Sequence, residues 1–207
     1  MTELTFTTFL TLDGVVQAPG GPEEDTSGGF GFGGWLVPFG DEEVGDFMTE
    51  VVDRAGAFLL GRRTYEIFAG YWPKVTDPQN RIATRLNSLP KYVASATLDR
   101  THWAGSTLLG ANVPEQVAQL KEQHFDGELQ IHGSGSLAGS LLEHDLIDEY
   151  RLLVFPVVLG QGKRLFPEVG LPTSFRLLES RTTAAGVAIH TYRPVGRAVF
   201  GSFATDG

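Results

Sequence analysis

The fold of this chain is decided by the segment IHGSGSL, residues 131–137. Residues 129–131 are typical of a short buried strand, and Leu137, Leu141 and Leu142 recur at helical spacing after two glycines and two serines. A strand that enters a helix through a Gly/Ser turn leaves backbone N–H groups free to bind an anion, and the helix dipole favours negative charge. The segment therefore predicts a phosphate site, which we assign to the pyrophosphate of a dinucleotide.

The composition is that of a globular protein with one domain. The 207 residues suffice for a sizeable core, and 42% hydrophobic against 20% charged residues is an ordinary balance. The absence of cysteine excludes disulfides, thiolate metal sites and cysteine nucleophiles. No basic leader and no apolar run of about 18 residues is present, so we expect a cytoplasmic protein without a membrane span.

Charge is distributed unevenly along the chain. The net charge is −9, and residues 1–60 hold eleven acidic residues against the single basic residue Arg54. Residues 61–100 hold seven basic residues against three acidic ones. The acidic total argues against nucleic acid as a partner. The basic segment fits a small phosphorylated ligand, with solvated surface charge as the alternative.

Strand and helix patterns alternate along the chain. This alternation predicts an α/β fold with a mostly parallel central sheet, flanked by helices and closed by an antiparallel C-terminal edge. One domain is expected over residues 1–193, followed by a loose tail over 194–207. The expected strands are 3–10, 57–60, 91–95, 106–109, 129–131, 150–158, 175–178 and 187–192, and the expected helices 42–54, 61–70, 77–86, 113–123 and one beginning near 137.

Four polar or glycine positions follow the ends of predicted strands. In open α/β sheets ligands bind beyond the carboxyl ends of the strands, so we expect these positions to line one crevice. They are Asp13, Gly61, Ser95 and Gly133. The long loop over residues 17–40 is rich in glycine and aromatic residues, which is typical of a lid or binding loop.

Two turns carry the phosphate hypothesis. Gly133-x-Gly135-x-x-Ala138 matches the dinucleotide fingerprint in form, but it lies late in the chain, and a tight strand–helix turn without ligand is an equal alternative. Residues 61–64, Gly-Arg-Arg-Thr, form a second turn of this kind, and arginine forks bind phosphate oxygens. Ser95 with nearby Thr97 and Arg100 suits a ribose 2′-phosphate, with capping and solvation as the alternative.

Other catalytic patterns are absent from the sequence. The five histidines show no metal-ligand spacing, no G-x-S-x-G marks a hydrolase nucleophile, and residues 160–163 do not complete a P-loop. We therefore expect no metal site, and chemistry carried by a bound organic cofactor.

Taken in order, four segments resemble one enzyme superfamily. They are TLDG at 11–14, LGRRTYE at 60–66, HGSGSL at 132–137, and LIDEYR at 146–151 with PVVLGQG at 156–162. Their order and spacing are similar to those of the dihydrofolate reductase-like superfamily. They are most similar to the C-terminal reductase domain of the bifunctional riboflavin biosynthesis protein RibD, here in a stand-alone version.

The resemblance implies a function and a set of site residues. It implies an NADPH-dependent oxidoreductase that transfers hydride to a pterin- or pyrimidine-like heterocycle, as 5-amino-6-(5-phosphoribosylamino)uracil reductase does, in a homodimer with no nucleic-acid or membrane partner. Asp13 and Trp35 would contact the substrate. The cofactor residues implied are Gly61, Arg62, Arg63, Thr64, Ser95, Gly133, Ser134, Gly135, Ser136 and Leu137.

Two residues are candidates for moving a proton. His132 stands where riboflavin reductases place a substrate-contacting glutamate, and it can donate a proton or a hydrogen bond. A structural histidine is the alternative. Glu43 lies nearest in register to the proton-handling acid of dihydrofolate reductases, with a plain helix N-terminal carboxylate as the alternative.

Two further functions stay open at this point. The first is a catalytically silent module of the same fold that binds NADP(H) or another nucleotide. The second is a flavin held in the same crevice.

Overall fold

The computed structural model describes residues 1–166 and 170–203. Strands and helices alternate along this part of the chain, with short 3-10 turns at Ser27–Gly29, Val37–Phe39 and Trp72–Lys74. The strands are β1 (Leu4–Thr11), β2 (Ala55–Gly61), β3 (Lys91–Ala94), β4 (Ser106–Leu109), β5 (Glu128–His132), β6 (Glu149–Phe155), β7 (Thr173–Thr182) and β8 (Ala188–Arg197). The helices are α1 (Glu42–Asp53), α2 (Arg62–Tyr71), α3 (Arg81–Ser88), α4 (Val113–Glu122) and α5 (Gly135–Glu143).

These eight strands form one sheet in the order β4-β3-β2-β5-β1-β6-β8-β7. The strands from β4 to β6 pair in parallel, and β8 pairs antiparallel with both β6 and β7. The expected mostly parallel sheet with an antiparallel C-terminal edge is thus confirmed. The antiparallel edge follows because β8 comes directly after β7 and pairs with it as a hairpin, whereas a helix separates most of the consecutive parallel strands; β3 and β4 pair in parallel without one.

Helices cover both faces of the sheet. Helices α4 and α5 pack on one face through Val117 and Leu141, and α1 packs on the other through Phe47 and Val51. Asp41 begins α1 as predicted, because its carboxylate accepts the Val44 N–H at 2.9 Å.

The carboxyl edge of the sheet has a notch because its strands end at different levels. Strand β5 ends at His132, opposite Thr7 of β1, whereas β1 continues beside β6 to Thr11. The carboxyl edge therefore has a gap between β1 and β2, at the place where the Gly/Ser turn leaves β5.

A buried ion pair joins three strands next to this gap. Arg151 of β6 donates from both terminal nitrogens to Glu128 of β5, at 2.8 and 2.9 Å. One of these nitrogens also donates to the Thr5 hydroxyl of β1, the strand that lies between β5 and β6, at 3.4 Å. Arg151 is 4% exposed. Burial alone would raise the pKa of Glu128, but the hydrogen bonds and charge of Arg151 hold it below its ordinary value.

Several expected boundaries were wrong, such as those of β7, which was expected over 175–178, and three others are instructive. Strand β6 ends at Phe155 rather than 158, because Pro156 has no N–H to continue the ladder. Helix α3 begins at Arg81 rather than 77, since Asn80 supplies the capping oxygen to Ala83 N–H. Strand β8 extends to Arg197, so residues 194–197 belong to the sheet and not to the expected tail. Residues 204–207 of that tail lie outside the described residues.

The first prediction concerns the ion pair. We expect Glu128→Gln to lower the free energy of unfolding by about 3 kcal/mol, because Arg151 keeps its buried charge with only Glu149 beside it. Urea unfolding measures the change, and Glu122→Gln, an exposed carboxylate on α4, is the matched control.

The same variant carries a pH dependence. Because the folded-state pKa of Glu128 is lowered, its contribution is fully present above the pKa of an unfolded carboxyl and is lost as pH falls through the folded value. The difference in stability between wild type and Glu128→Gln should therefore be constant near neutral pH and shrink in acid. A difference that grows in acid would contradict the assignment.

Candidate functional site

A cavity of about 640 Å³ occupies the notch in the sheet. Its walls come from the carboxyl ends of β2 and β5, from β1, from the loop over residues 16–25, and from helices α1, α2 and α3. Much of the wall is apolar, including Phe9, Met48, Ile67 and Phe68. A largely apolar cavity of this size with a few polar groups is typical of a small-molecule site.

The Ser134 hydroxyl joins two helix N-termini at this cavity. It donates to the Thr64 hydroxyl at 2.9 Å and accepts the Gly61 N–H at 3.0 Å. This holds the start of α2 against the start of α5, and a side chain at Gly61 would press on it, since a Cβ there would lie 3.3 Å from the Ser134 oxygen. Gly133 and Ser134 both adopt left-handed backbone, with φ of 57° and 56°.

Neither helix start has a side-chain cap, because the Ser134 hydroxyl is used elsewhere and Gly61 has no side chain. Ser134 is the N-cap residue of α5 and Gly61 that of α2, and neither supplies a side-chain capping bond. The first N–H groups of a helix have no partner within the helix, so those of Gly135, Ser136 and Leu137 remain available. Together with the helix dipoles they favour an anion.

Arginines stand at the rim beside these helix starts. Arg62 is half exposed, and its guanidinium donates to the Thr97 hydroxyl beyond the end of β3 and to Glu66 at 2.8 Å. A half-exposed guanidinium of this kind can replace its contacts with Thr97 and Glu66 by hydrogen bonds to phosphate oxygens.

The loop over residues 17–40 is fastened across the cavity by a shared carboxylate. Asp25 pairs with Arg63 of α2 and with Lys163 at 2.8 Å, and its own side chain is 8% exposed. Gln17 holds the loop from inside through bonds to the Asp25 and Ser27 carbonyls. These contacts fix the loop in place as one wall of the cavity.

His132 lies on the cavity floor, where β5 ends. It is 6% exposed, and its Nε2 lies 3.0 Å from Oε1 of Gln130. Burial, and then the nearby charge of Arg151, lower its pKa to about 4, although Glu128 acts in the opposite direction. The imidazole is therefore neutral at physiological pH, which makes it a poor proton donor, and a role for it in hydrogen bonding to a substrate stays a prediction.

The cavity also contains a carboxyl that the sequence did not single out. Glu24 lines it from the loop and accepts the N–H groups of Gly20 and Gly21 at 2.6 and 3.1 Å. Burial raises its pKa despite these bonds. Nothing in the sequence separates Glu24 from its neighbours, because only the folded loop directs Glu24 and Asp25 to the cavity and leaves Glu23 exposed.

Of the four positions expected to share one crevice, only Gly61 and Gly133 line it. Asp13 is turned away, because its carboxylate accepts the Thr11 hydroxyl and the N–H groups of Leu159 and Gly160. The Ser95 hydroxyl accepts the N–H groups at residues 97 and 98 and shapes the turn after β3. Both therefore have structural roles.

Trp35 and Glu43 were also expected in the site and lie elsewhere. Trp35 is buried against Phe155, with its ring nitrogen donating to the Gln17 carbonyl at 2.8 Å, so it anchors the loop. Glu43 accepts the Ala184 N–H at 2.6 Å and holds the β7–β8 turn onto the start of α1. The expected Arg62, Arg63, Thr64 and residues 133–137 do line the cavity.

Within residues 1–166 and 170–203, no three His, Asp or Glu side chains are grouped closely enough to hold a metal ion. In the same residues no helix is long and apolar enough to cross a membrane.

Three similarities to known proteins accompany this geometry. The Bacillus subtilis (strain 168) protein YyaP, itself uncharacterized, is 28% identical over 185 residues, which cover 88% of this chain and 90% of YyaP. A structure from Shewanella sp. PV-4, named provisionally as a riboflavin biosynthesis protein, has a TM-score of 0.69 at 24% identity and covers 94% of this chain and 99% of its own. Dihydrofolate reductase from Enterococcus faecalis, complexed with NADP(H) and RAB-propyl, has a TM-score of 0.58 at 15% identity, with 93% and 96% covered.

The two structures show that the sheet has the dihydrofolate reductase-like fold that its motifs predicted. The family model described as the RibD C-terminal domain matches residues 2–189. Because this match spans nearly the whole chain, the protein belongs to the RibD C-terminal domain family.

Proposed function

We propose that this protein is an NADPH-dependent reductase of a small pterin- or pyrimidine-like heterocycle. The observation that carries the proposal is the convergence of two uncapped helix N-termini and two arginines on one largely apolar cavity. Membership of a reductase-type family supports it, as does the fold shared with a dihydrofolate reductase complexed with NADP(H).

The residues of the cavity fit such a cofactor. The free N–H groups at Gly135–Leu137 suit the pyrophosphate, and Arg62 beside Thr97 suits a ribose 2′-phosphate. When bound, NADPH supplies the hydride. The chain contributes by holding the two reactants together between apolar walls, and by excluding water under the loop fastened at Asp25.

Glu24 is the residue that we propose to hold the proton that accompanies the hydride. It replaces Glu43 and His132 in that role, because Glu43 lies outside the cavity and His132 is neutral there. A buried carboxyl with a raised pKa keeps its proton to higher pH, as a general acid requires.

A nucleotide-binding module without turnover is the second candidate. Glu24 and Asp25 are the only carboxylates that line the described part of the cavity, and both already make hydrogen bonds or ion pairs within the protein. A cavity without a free proton donor favours binding without turnover. The two candidates differ in whether bound NADPH is consumed. The expected homodimer and cytoplasmic location stay predictions, and light scattering of the purified protein tests the first.

Cofactor preference gives the second prediction. Titration followed by nicotinamide fluorescence should show saturable NADPH binding that is at least tenfold tighter than NADH binding, because a charge-assisted contact to the 2′-phosphate contributes about 1.5–3 kcal/mol. Arg62→Ala should weaken NADPH at least tenfold and change NADH less than about twofold.

Arg176→Ala on β7 removes the same charge far from the cavity and is the matched control. Absence of saturable binding of either nucleotide would refute the proposed cofactor. Equal losses for NADPH and NADH in Arg62→Ala would show that Arg62 does not read the 2′-phosphate.

The third prediction tests the proton donor. Glu24→Gln should lower the rate of NADPH oxidation by about 10²-fold or more, while NADPH affinity stays within about twofold. In the wild type the rate should fall as pH rises through the raised pKa of Glu24, and the variant should lack this step. Glu23→Gln is the adjacent exposed control. Wild-type turnover in Glu24→Gln would remove Glu24 from the mechanism.

A further inference from the structure

We propose that the cavity floor selects a neutral substrate that donates an N–H or O–H hydrogen bond to Nδ1 of His132, beside the hydroxyl of Thr7. This inference rests on the proposed function, because it describes the substrate end of the same cavity. It makes His132 a hydrogen-bond acceptor rather than the donor expected from the sequence.

The orientation of Gln130 fixes the tautomer of His132. The Gln130 amide nitrogen donates to the Val51 carbonyl at 2.6 Å and to the Glu128 carboxylate at 2.8 Å. Both partners are acceptors only, so the amide oxygen must be the atom that faces His132. A carbonyl oxygen can only accept, and Nε2 of His132 therefore carries the proton in this 3.0 Å bond.

The other ring nitrogen is then an acceptor. A neutral imidazole has one N–H, so Nδ1 holds a lone pair when Nε2 is protonated. Nδ1 makes no hydrogen bond within the described chain, and His132 lines the cavity. It is thus the ring nitrogen left for a ligand.

The charges around the ring keep it in this state. Arg151 on β6 and Glu128 on β5 are the charged groups that act on His132, and they are paired with each other. Burial and Arg151 place the pKa of His132 at about 4, so physiological pH does not convert Nδ1 into a donor. A lone pair at the floor disfavours carboxylates and phosphates there and favours a neutral donor.

Thr7, which lies beside His132 in the sheet, has a side-chain hydroxyl without a hydrogen-bond partner in the described chain. It pairs in register with His132, lies on the cavity wall and is 2% exposed. Its Oγ1 is buried and has no hydrogen-bond partner within the described chain. A buried polar group without a partner is costly, and a ligand would relieve it. An acceptor beside a hydroxyl suits the N–H and C=O of a cyclic amide or imide.

The tautomer is tested on the free protein by nitrogen NMR with labelled histidine. At pH 7 we expect a pyridine-type signal for Nδ1 of His132 and a pyrrole-type signal for Nε2, with no change down to about pH 5. Gln130→Met removes the acceptor and should mix the two tautomers. A proton on Nδ1 in the wild type overturns the proposal, whether or not Gln130→Met folds.

The selection of a donor is tested with two probes, uracil and 1,3-dimethyluracil, which lacks both N–H groups. Uracil should bind at least tenfold tighter and shift the Nδ1 signal, because the dimethyl probe leaves a buried acceptor unpaired. His132→Phe should abolish the difference, and Thr7→Val should reduce it. His124→Phe, at an exposed position after α4, is the matched control and should preserve it.

Equal binding of the two probes, or no uracil binding up to its solubility limit, overturns the proposal. Both experiments are run without and with NADPH. If the proposed function is wrong, NADPH does not bind. The tautomer of His132 and the ratio of uracil to 1,3-dimethyluracil affinity can still be measured on the free protein. The two failures are therefore distinguishable.

Discussion

The buried ion pair between Glu128 and Arg151 is the interaction on which the site depends. It crosses β5, β1 and β6 on the face covered by α1, and it satisfies a nearly fully buried guanidinium. Glu128 also accepts a bond from Gln130, which sets the amide that faces His132. A contact that stabilises three strands thereby decides which nitrogen of the histidine is protonated, so the stability of the sheet and the chemistry of the cavity floor are physically linked.

A second constraint acts at the cofactor end of the cavity. Because the Ser134 hydroxyl is committed to Gly61 and Thr64, it cannot cap its own helix, and the N–H groups at the start of α5 stay free. Holding Ser134 in left-handed backbone costs of order 1 kcal/mol, which the two hydrogen bonds offset. The same serine thus positions two helix N-termini at one cavity and leaves that of α5 available to an anion, while α2 has no side-chain cap because its N-cap residue is Gly61.

Prediction from sequence succeeded for the sheet and for the two turns, and failed for isolated polar residues. The turns at residues 61–64 and 133–137 line the cavity because strand, turn and helix are all encoded locally. Asp13, Trp35 and Glu43 were expected in the site but lie outside the cavity, where each has a partner from a distant segment: Gly160, Phe155 and Ala184 respectively. Glu24 and Thr7 were missed because no local pattern distinguishes them from neighbouring residues with the same chemistry.

By itself, the sequence determined the α/β class, the order of strands and helices, and the two glycine-containing turns, since all of these follow from hydrophobic periodicity and local backbone preference. Only the tertiary structure decided which polar groups are consumed by the fold and which remain for a ligand. That outcome depends on partners far apart in the chain, such as Ser134 and Thr64, which are 70 residues apart. The acceptor character of His132 is set in the same way, by contacts with Gln130 and the charges behind it that no local pattern encodes.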